Sequence, residues 1–138
     1  MTKQKLLEVT YMNLLKTSYL LGGIYDLLLG LGIIFLRSFI LSLFKQKNPS
    51  IPVIADSLGL FLVAYGFLLL REAQKTHPNI EIGATSASVR IIYFVFVVYY
   101  ILTSSIELLY VLLALTDLVS GLFIFVGIVT YKRAININ

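Results

Sequence analysis

Two aspartates, Asp26 and Asp117, lie near the middle of apolar stretches long enough to cross a membrane. Carboxylates at that depth are costly, and where they occur they mark proton relays, solute paths or polar helix contacts. Both stand in the same local frame, Tyr-x6-Asp-Leu-x2-Gly-Leu. It reads Tyr19, Asp26, Leu27, Gly30 and Leu31 in one place, and Tyr110, Asp117, Leu118, Gly121 and Leu122 in the other. Arg90, inside a third apolar stretch, is the candidate partner. One arginine cannot neutralise two aspartates, so a triad of Asp26, Asp117 and Arg90 is expected to hold a proton and to respond to pH. The competing reading has Arg90 snorkelling to the headgroups while each aspartate, protonated or bonded to Tyr or Ser hydroxyls, fastens helices together.

Helical spacing places further residues beside the acids. Residues three, four and seven apart share a face, which aligns Tyr19, Gly22, Gly23, Asp26, Gly30 and Ile33 along one stripe. Tyr110, Ala114, Asp117 and Gly121 make the matching stripe. Small residues beside a carboxylate let a neighbouring helix approach and shield the charge from lipid, so Gly22, Gly23, Gly30, Gly59, Gly66 and Gly121 are read as packing positions. Asp56, Gly59, Val63 and Gly66 repeat the arrangement, but Asp56 lies near a span end, where a capping or interfacial role is the expectation.

Other chemistry is sparse. Tyr99 and Tyr100 fit an interfacial belt, whereas Tyr65 and Tyr93, with the stripe tyrosines, could line a cavity for an amphipathic ligand. His77 is the single histidine and stands before Pro78 in a polar segment, so no metal site is expected. No Gly-x-Ser-x-Gly elbow, phosphate-cradling Gly-Lys-Ser/Thr loop or His-Glu-x2-His pair is present, and Thr103, Ser104 and Ser105 have no histidine in their segment to act as base. Enzymatic activity is disfavoured, and no cofactor is expected.

The elements that must carry these residues follow from composition. The 138 residues are 59% hydrophobic and 13% charged, with a mean hydropathy of +0.93, far more apolar than a soluble domain. The length allows one domain of about four spans at roughly 20 residues each. The expected spans are 17–36, 52–70, 85–102 and 105–131. Pro52 suits a first helical turn, and Ser104-x2-Glu107 has capping-box spacing. With its third span starting near Thr85, Arg90 is expected about 6 to 8 Å inside the membrane edge. Two short amphipathic segments, Thr2 to Lys16 and Ser38 to Phe44, are expected to lie in the interface. The first is not expected to be a cleavable leader, because its apolar core comes late and runs long. The stretch from Arg71 to Ala84 is expected to be the one plainly polar loop. No cysteine is present, which excludes disulfides and thiolate chemistry.

Eight of the eleven basic residues, Lys3, Lys5, Lys16, Arg71, Lys75, Arg90, Lys132 and Arg133, fall on the side shared by the termini, and Arg37, Lys45 and Lys47 fall opposite. This bias predicts cytoplasmic termini and argues against insertion in both orientations. It also accounts for the net charge of +4 without a nucleic-acid partner.

The stretch from Gly23 to Leu31, the glycine-bearing second span ahead of His77 and Pro78, and Asp117-Leu118 in the last span resemble small uncharacterised four-span bacterial membrane proteins. That resemblance implies a four-helix membrane fold and carries no activity with it. The repeated frame on antiparallel spans would require an in-plane pseudo-two-fold axis. The expectation is thus an all-α, four-helix integral membrane bundle in a bacterial inner membrane. Its expected function is binding or transport at a buried site of Asp26, Asp117, Arg90, Tyr19 and Tyr110, with a proton or small amphipathic ligand as partner. Alternatives are a non-catalytic accessory subunit of a homo-oligomer or larger membrane complex, and a membrane enzyme acting on lipid- or quinone-like substrates. A hydrated cavity reaching the acids favours the first, a dry core with a Gly-lined groove the second, and an aromatic pocket open to the bilayer the third.

Overall fold

In a computed structural model the N-terminal segment does not lie apart as a surface helix. Helix α1 runs unbroken from Lys3–Phe35, 33 residues or about 50 Å. The reason lies in Met12 and Leu15. Both pack into the bundle, and Leu15 is wholly buried, so the helix has core contacts well below the expected start of the span. The structure describes residues 3–44, 52–103 and 108–135. After Leu36 the chain bends into α2 (Arg37–Leu43), which buries no residue. Helix α3 (Pro52–Gln74) begins at its proline. Helices α4 (Ile80–Thr103) and α5 (Leu108–Ile135) complete an all-helical chain. Four stretches are long and apolar enough to cross a membrane: Val9–Phe35, Val53–Gln74, Ile80–Thr103 and Leu108–Arg133. The proposed Ser104/Glu107 capping box and the basic pair Lys45 and Lys47 lie outside the described residues.

The polar loop is shorter than its composition implies. Glu81 donates its backbone N–H to Asn79 Oδ1 at 2.9 Å, the bond of a helix N-cap. That cap starts α4 at Ile80 and leaves only residues 75–79 between two helices. Glu72, 1% exposed, braces the same turn. Its carboxylate accepts from Lys75 Nζ at 2.5 Å and from the Asn79 backbone N–H at 2.9 Å.

Helix α1 is the centre of the assembly, packing against both α3 and α5, while α4 packs chiefly on α5. The α1–α3 seam is a glycine ladder. A Cβ on Gly23 would stand 2.8 Å from the Gly66 carbonyl oxygen, and one on Gly30 would stand 2.6 Å from that of Gly59. The pairs are each seven residues apart and run antiparallel, so two turns of both backbones come into direct contact. Close approach of this kind is how helices associate where lipid removes the hydrophobic drive. Gly121 makes the equivalent approach between α5 and α4, against Ala87 and the Arg90 stem.

Buried apolar side chains gather in one half of the bundle. Leu15, Tyr19, Leu69, Ala87, Ile124, Ile128 and Tyr131 form a continuous core at the end that carries α1's start, the α3–α4 turn and α5's finish. Towards the α2 end, Val97 and Ala114 are the only other buried hydrophobic residues among those described.

Candidate functional site

Just beyond that core, three charged side chains from three helices meet. Arg90 stands ten residues after Ile80, about 15 Å along α4 and close to its middle. It is therefore deeper than the sequence implies, because the Asn79 cap begins the helix earlier. Arg90 is 5% exposed. It turns inward.

Every nitrogen of Arg90 is engaged. Nη2 donates to both carboxylate oxygens of Asp26, each at 2.6 Å. Nη1 donates to Asp117 Oδ1 at 3.0 Å and to Ser120 Oγ at 2.9 Å, and Nε donates to Ser86 Oγ at 3.3 Å. These bonds use all five guanidinium hydrogens. The Tyr25 ring lies beside the cation, 5.3 Å from Cζ to the ring centroid, within cation–π range. Its hydroxyl shares a hydrogen bond with Thr116 Oγ1 at 3.0 Å and also reaches Asp117. Snorkelling is thus not what Arg90 does, and the aspartates share it rather than hydroxyl partners alone.

The two acids are not equivalent. The Asp26 side chain is 3% exposed and holds two short contacts, whereas Asp117 is 17% exposed with one longer contact. With both ionised, two carboxylates against one guanidinium leave a single negative charge in excess. Burying such a charge costs several kcal/mol unless a further cation balances it.

The remaining sequence-predicted residues separate. The stripe on α1 divides into two faces. Gly23, Gly30 and Ile33 meet α3, while Gly22 and Asp26 point inward, with a Gly22 Cβ falling 3.2 Å from Ile124 Cδ1 and 3.9 Å from Arg90 Nη2. Tyr19 is fully buried but belongs to the core, and its hydroxyl donates to the Asn79 carbonyl at 2.9 Å. Gly83 faces that ring, where any Cβ would overlap it. Tyr110 is 42% exposed on the opposite half. Since α1 and α5 are antiparallel, a tyrosine seven residues before each aspartate is carried to opposite ends. Neither tyrosine hydrogen-bonds the acids. Asp56, its side chain 45% exposed, pairs with Arg37 and ties α2 to α3. His77 is exposed in the α3–α4 turn. No cluster of three metal-binding side chains exists among the described residues.

A cavity of about 410 Å³ opens between α1 and α5 beside the cluster. Residues Ser18, Leu21, Gly22, Tyr25, Leu115, Thr116, Val119, Ser120 and Phe123 line it, and the surface they present is almost wholly apolar. None of the three charged residues lines it, although Tyr25 and Ser120 touch Arg90 directly. Ser86, Ser120, Tyr25 and Thr116 are the members that sequence reasoning missed. Spacing gives one signal for two of them: Ser86 is one turn from Arg90, and Ser120 is three residues from Asp117. No protein-family model, curated protein or solved structure matches this chain.

Proposed function

We propose that this chain is a small multi-pass membrane protein that binds or transports a solute through a proton-responsive site made by Asp26, Arg90 and Asp117. The observation that carries the reading is the sharing of one buried guanidinium by two carboxylates from different helices. Such a set reaches neutrality only with one further positive charge, and in an apolar surround that charge is a proton or a bound cation. Titratable groups facing the set come from every neighbouring helix: Tyr25 on α1, Tyr65 on α3, Tyr93 on α4 and Asp117 itself on α5. The apolar core closes the bundle towards the termini. The basic-residue bias favours cytoplasmic termini.

Isotope-edited infrared titration of the protein in lipid tests this reading, with Asp26→Asn and Asp117→Asn assigning the bands. A carboxyl band that exchanges between about pH 5 and 8 is the expected result. Bands that stay fixed throughout, with Asn variants that change only stability, overturn it.

One observation favours a second reading, that of an accessory subunit whose acids are helix fasteners. All five Arg90 donors are already satisfied within the chain, as in a purely structural clamp, and the α1–α3 glycines meet backbone to backbone. The enzyme reading has less support, because no carboxylate lines the cavity where a lipid-like substrate would lie.

A further inference from the structure

The two acids differ in what an added proton displaces. Arg90 Nη2 lies 2.6 Å from each oxygen of Asp26, so a hydrogen on either oxygen meets an N–H already pointed at it. Asp117 meets the same guanidinium through Oδ1 alone, at 3.0 Å, and its second oxygen can take a hydrogen while that contact stays. Its side chain is also the more exposed, 17% against 3%. Tyr25 serves this acid and not the other. Its hydroxyl reaches Asp117 and, at 3.0 Å, Thr116 Oγ1. An ionised carboxylate only accepts, so towards it Tyr25 must donate. Once Asp117 is protonated, Thr116 gives that hydroxyl an uncharged partner, and either of the two can donate. The other titratable groups around Asp117 are Arg90 and Tyr93 on α4 and Asp26 on α1, while Tyr65 of α3 faces Arg90 and Asp26.

We infer that Asp117 is the acid that takes up and releases the proton, that Asp26 stays ionised on Arg90, and that Tyr25 is the positioning residue for the released state. On uptake, a proton from water bonds to a carboxylate oxygen of Asp117 and the set passes from one net negative charge to neutral, with no contact to Asp26 broken. The inference rests on the proposed proton-responsive reading of the three charges and names the side chain that the proton occupies.

The test keeps both acids charged, because an asparagine at either position removes the excess charge along with the carboxyl. The full chain is made by cell-free synthesis with the isotope label in aspartate carboxyls only, and titrated by infrared spectroscopy in lipid nanodiscs. Asp117→Glu should leave a titrating carboxyl band that has lost its isotope shift, whereas in Asp26→Glu the band should keep it. Tyr25→Phe retains the ring beside Arg90 and removes only the hydroxyl. The midpoint should then rise by about one pH unit, for the loss of one hydrogen bond to a charged group. Tyr65→Phe, the same deletion on the Asp26 side, should leave the midpoint in place. The tyrosine variants alter neither acid, so they decide the matter if glutamate is not accommodated. A band that keeps its isotope shift in Asp117→Glu overturns the inference, as does a midpoint that Tyr25→Phe lowers or leaves unmoved. Either result beside a band that titrates in the unaltered chain removes the assignment to Asp117 alone. Bands that stay fixed in the unaltered chain remove the proton-responsive reading as well.

Discussion

Arg90 Nη2 lies 2.6 Å from each carboxylate oxygen of Asp26, although 64 residues separate the two in sequence. Asp26 is thereby held by a single nitrogen, while Nη1 serves α5. Arg90 thus joins α1, α4 and α5 at one point. Replacing Arg90 with Met should cost about 3–5 kcal/mol, because it leaves two buried carboxylates without a partner. Adding Asp26→Asn and Asp117→Asn to that variant should recover much of the loss. Reversible unfolding in mixed micelles, compared across the single and triple variants, gives the coupling.

The unequal burial of the two acids predicts unequal sensitivity. Asp26→Asn should lower stability more than Asp117→Asn, by about 1–2 kcal/mol, since it weakens two charge-assisted bonds at a fully buried side chain. Equal losses measured by the same unfolding transition would contradict the asymmetry. Asp56→Asn, at a half-exposed ion pair with Arg37, should cost less than about 1 kcal/mol.

The glycine ladder makes a steric prediction. Gly30→Ala and Gly66→Ala each bring a Cβ within 3 Å of a facing carbonyl oxygen, which separates α1 from α3 at about 1–3 kcal/mol. Gly32→Ala is the control. Its Cβ would meet only Ile40 Cδ1 at 3.5 Å, an ordinary contact, and alanine is the better helix former, so stability should be unchanged or higher. Thermal midpoints of the three variants in one detergent decide the matter.

The turn below the core should loosen on its own when its latch is cut. Tyr19→Phe removes one bond to the Asn79 carbonyl and should cost about 0.5–1.5 kcal/mol. Hydrogen exchange should then rise at residues 79–83 while the α1–α3 seam stays protected. Uniform acceleration across all helices would mean that the turn is not a separable unit.

Much of this arrangement is legible in the sequence, for reasons particular to each residue. Asp26, Asp117 and Arg90 stand out because a charge inside an apolar run has few explanations. Their meeting is only partly legible: Asp26 and Asp117 fall near the middle of their expected spans, but Arg90 comes level with them only because α4 begins at Ile80 and not near Thr85. The glycines on α1 are legible as packing positions, but not the division of their stripe between α3 and the interior, which depends on helix rotation. The hydroxyl partners are hidden because Ser, Thr and Tyr are ordinary in spans and only pairing distinguishes Ser86 or Ser120. Glu72 reads as the charged end of a span, yet is buried by the turn it braces, a contact set by Asn79 seven residues later. The shared frame of Tyr19 and Tyr110 misleads, because equal spacing on antiparallel helices sends one tyrosine into the core and the other to the surface.

The three-helix junction at Arg90 also bears on biosynthesis. Translation at about 5–20 residues per second places roughly 3 to 13 seconds between synthesis of Asp26 and of Arg90, and Asp117 follows later still. The first long apolar helix is therefore made before the arginine that pairs with its acid. During that interval the seam of Gly23 and Gly30 against Gly66 and Gly59 can already close, since it needs only α1 and α3. The nascent chain would then display Asp26 on a preformed helix pair as a docking point for α4. Assembly order, and not only final stability, is written into the position of one arginine.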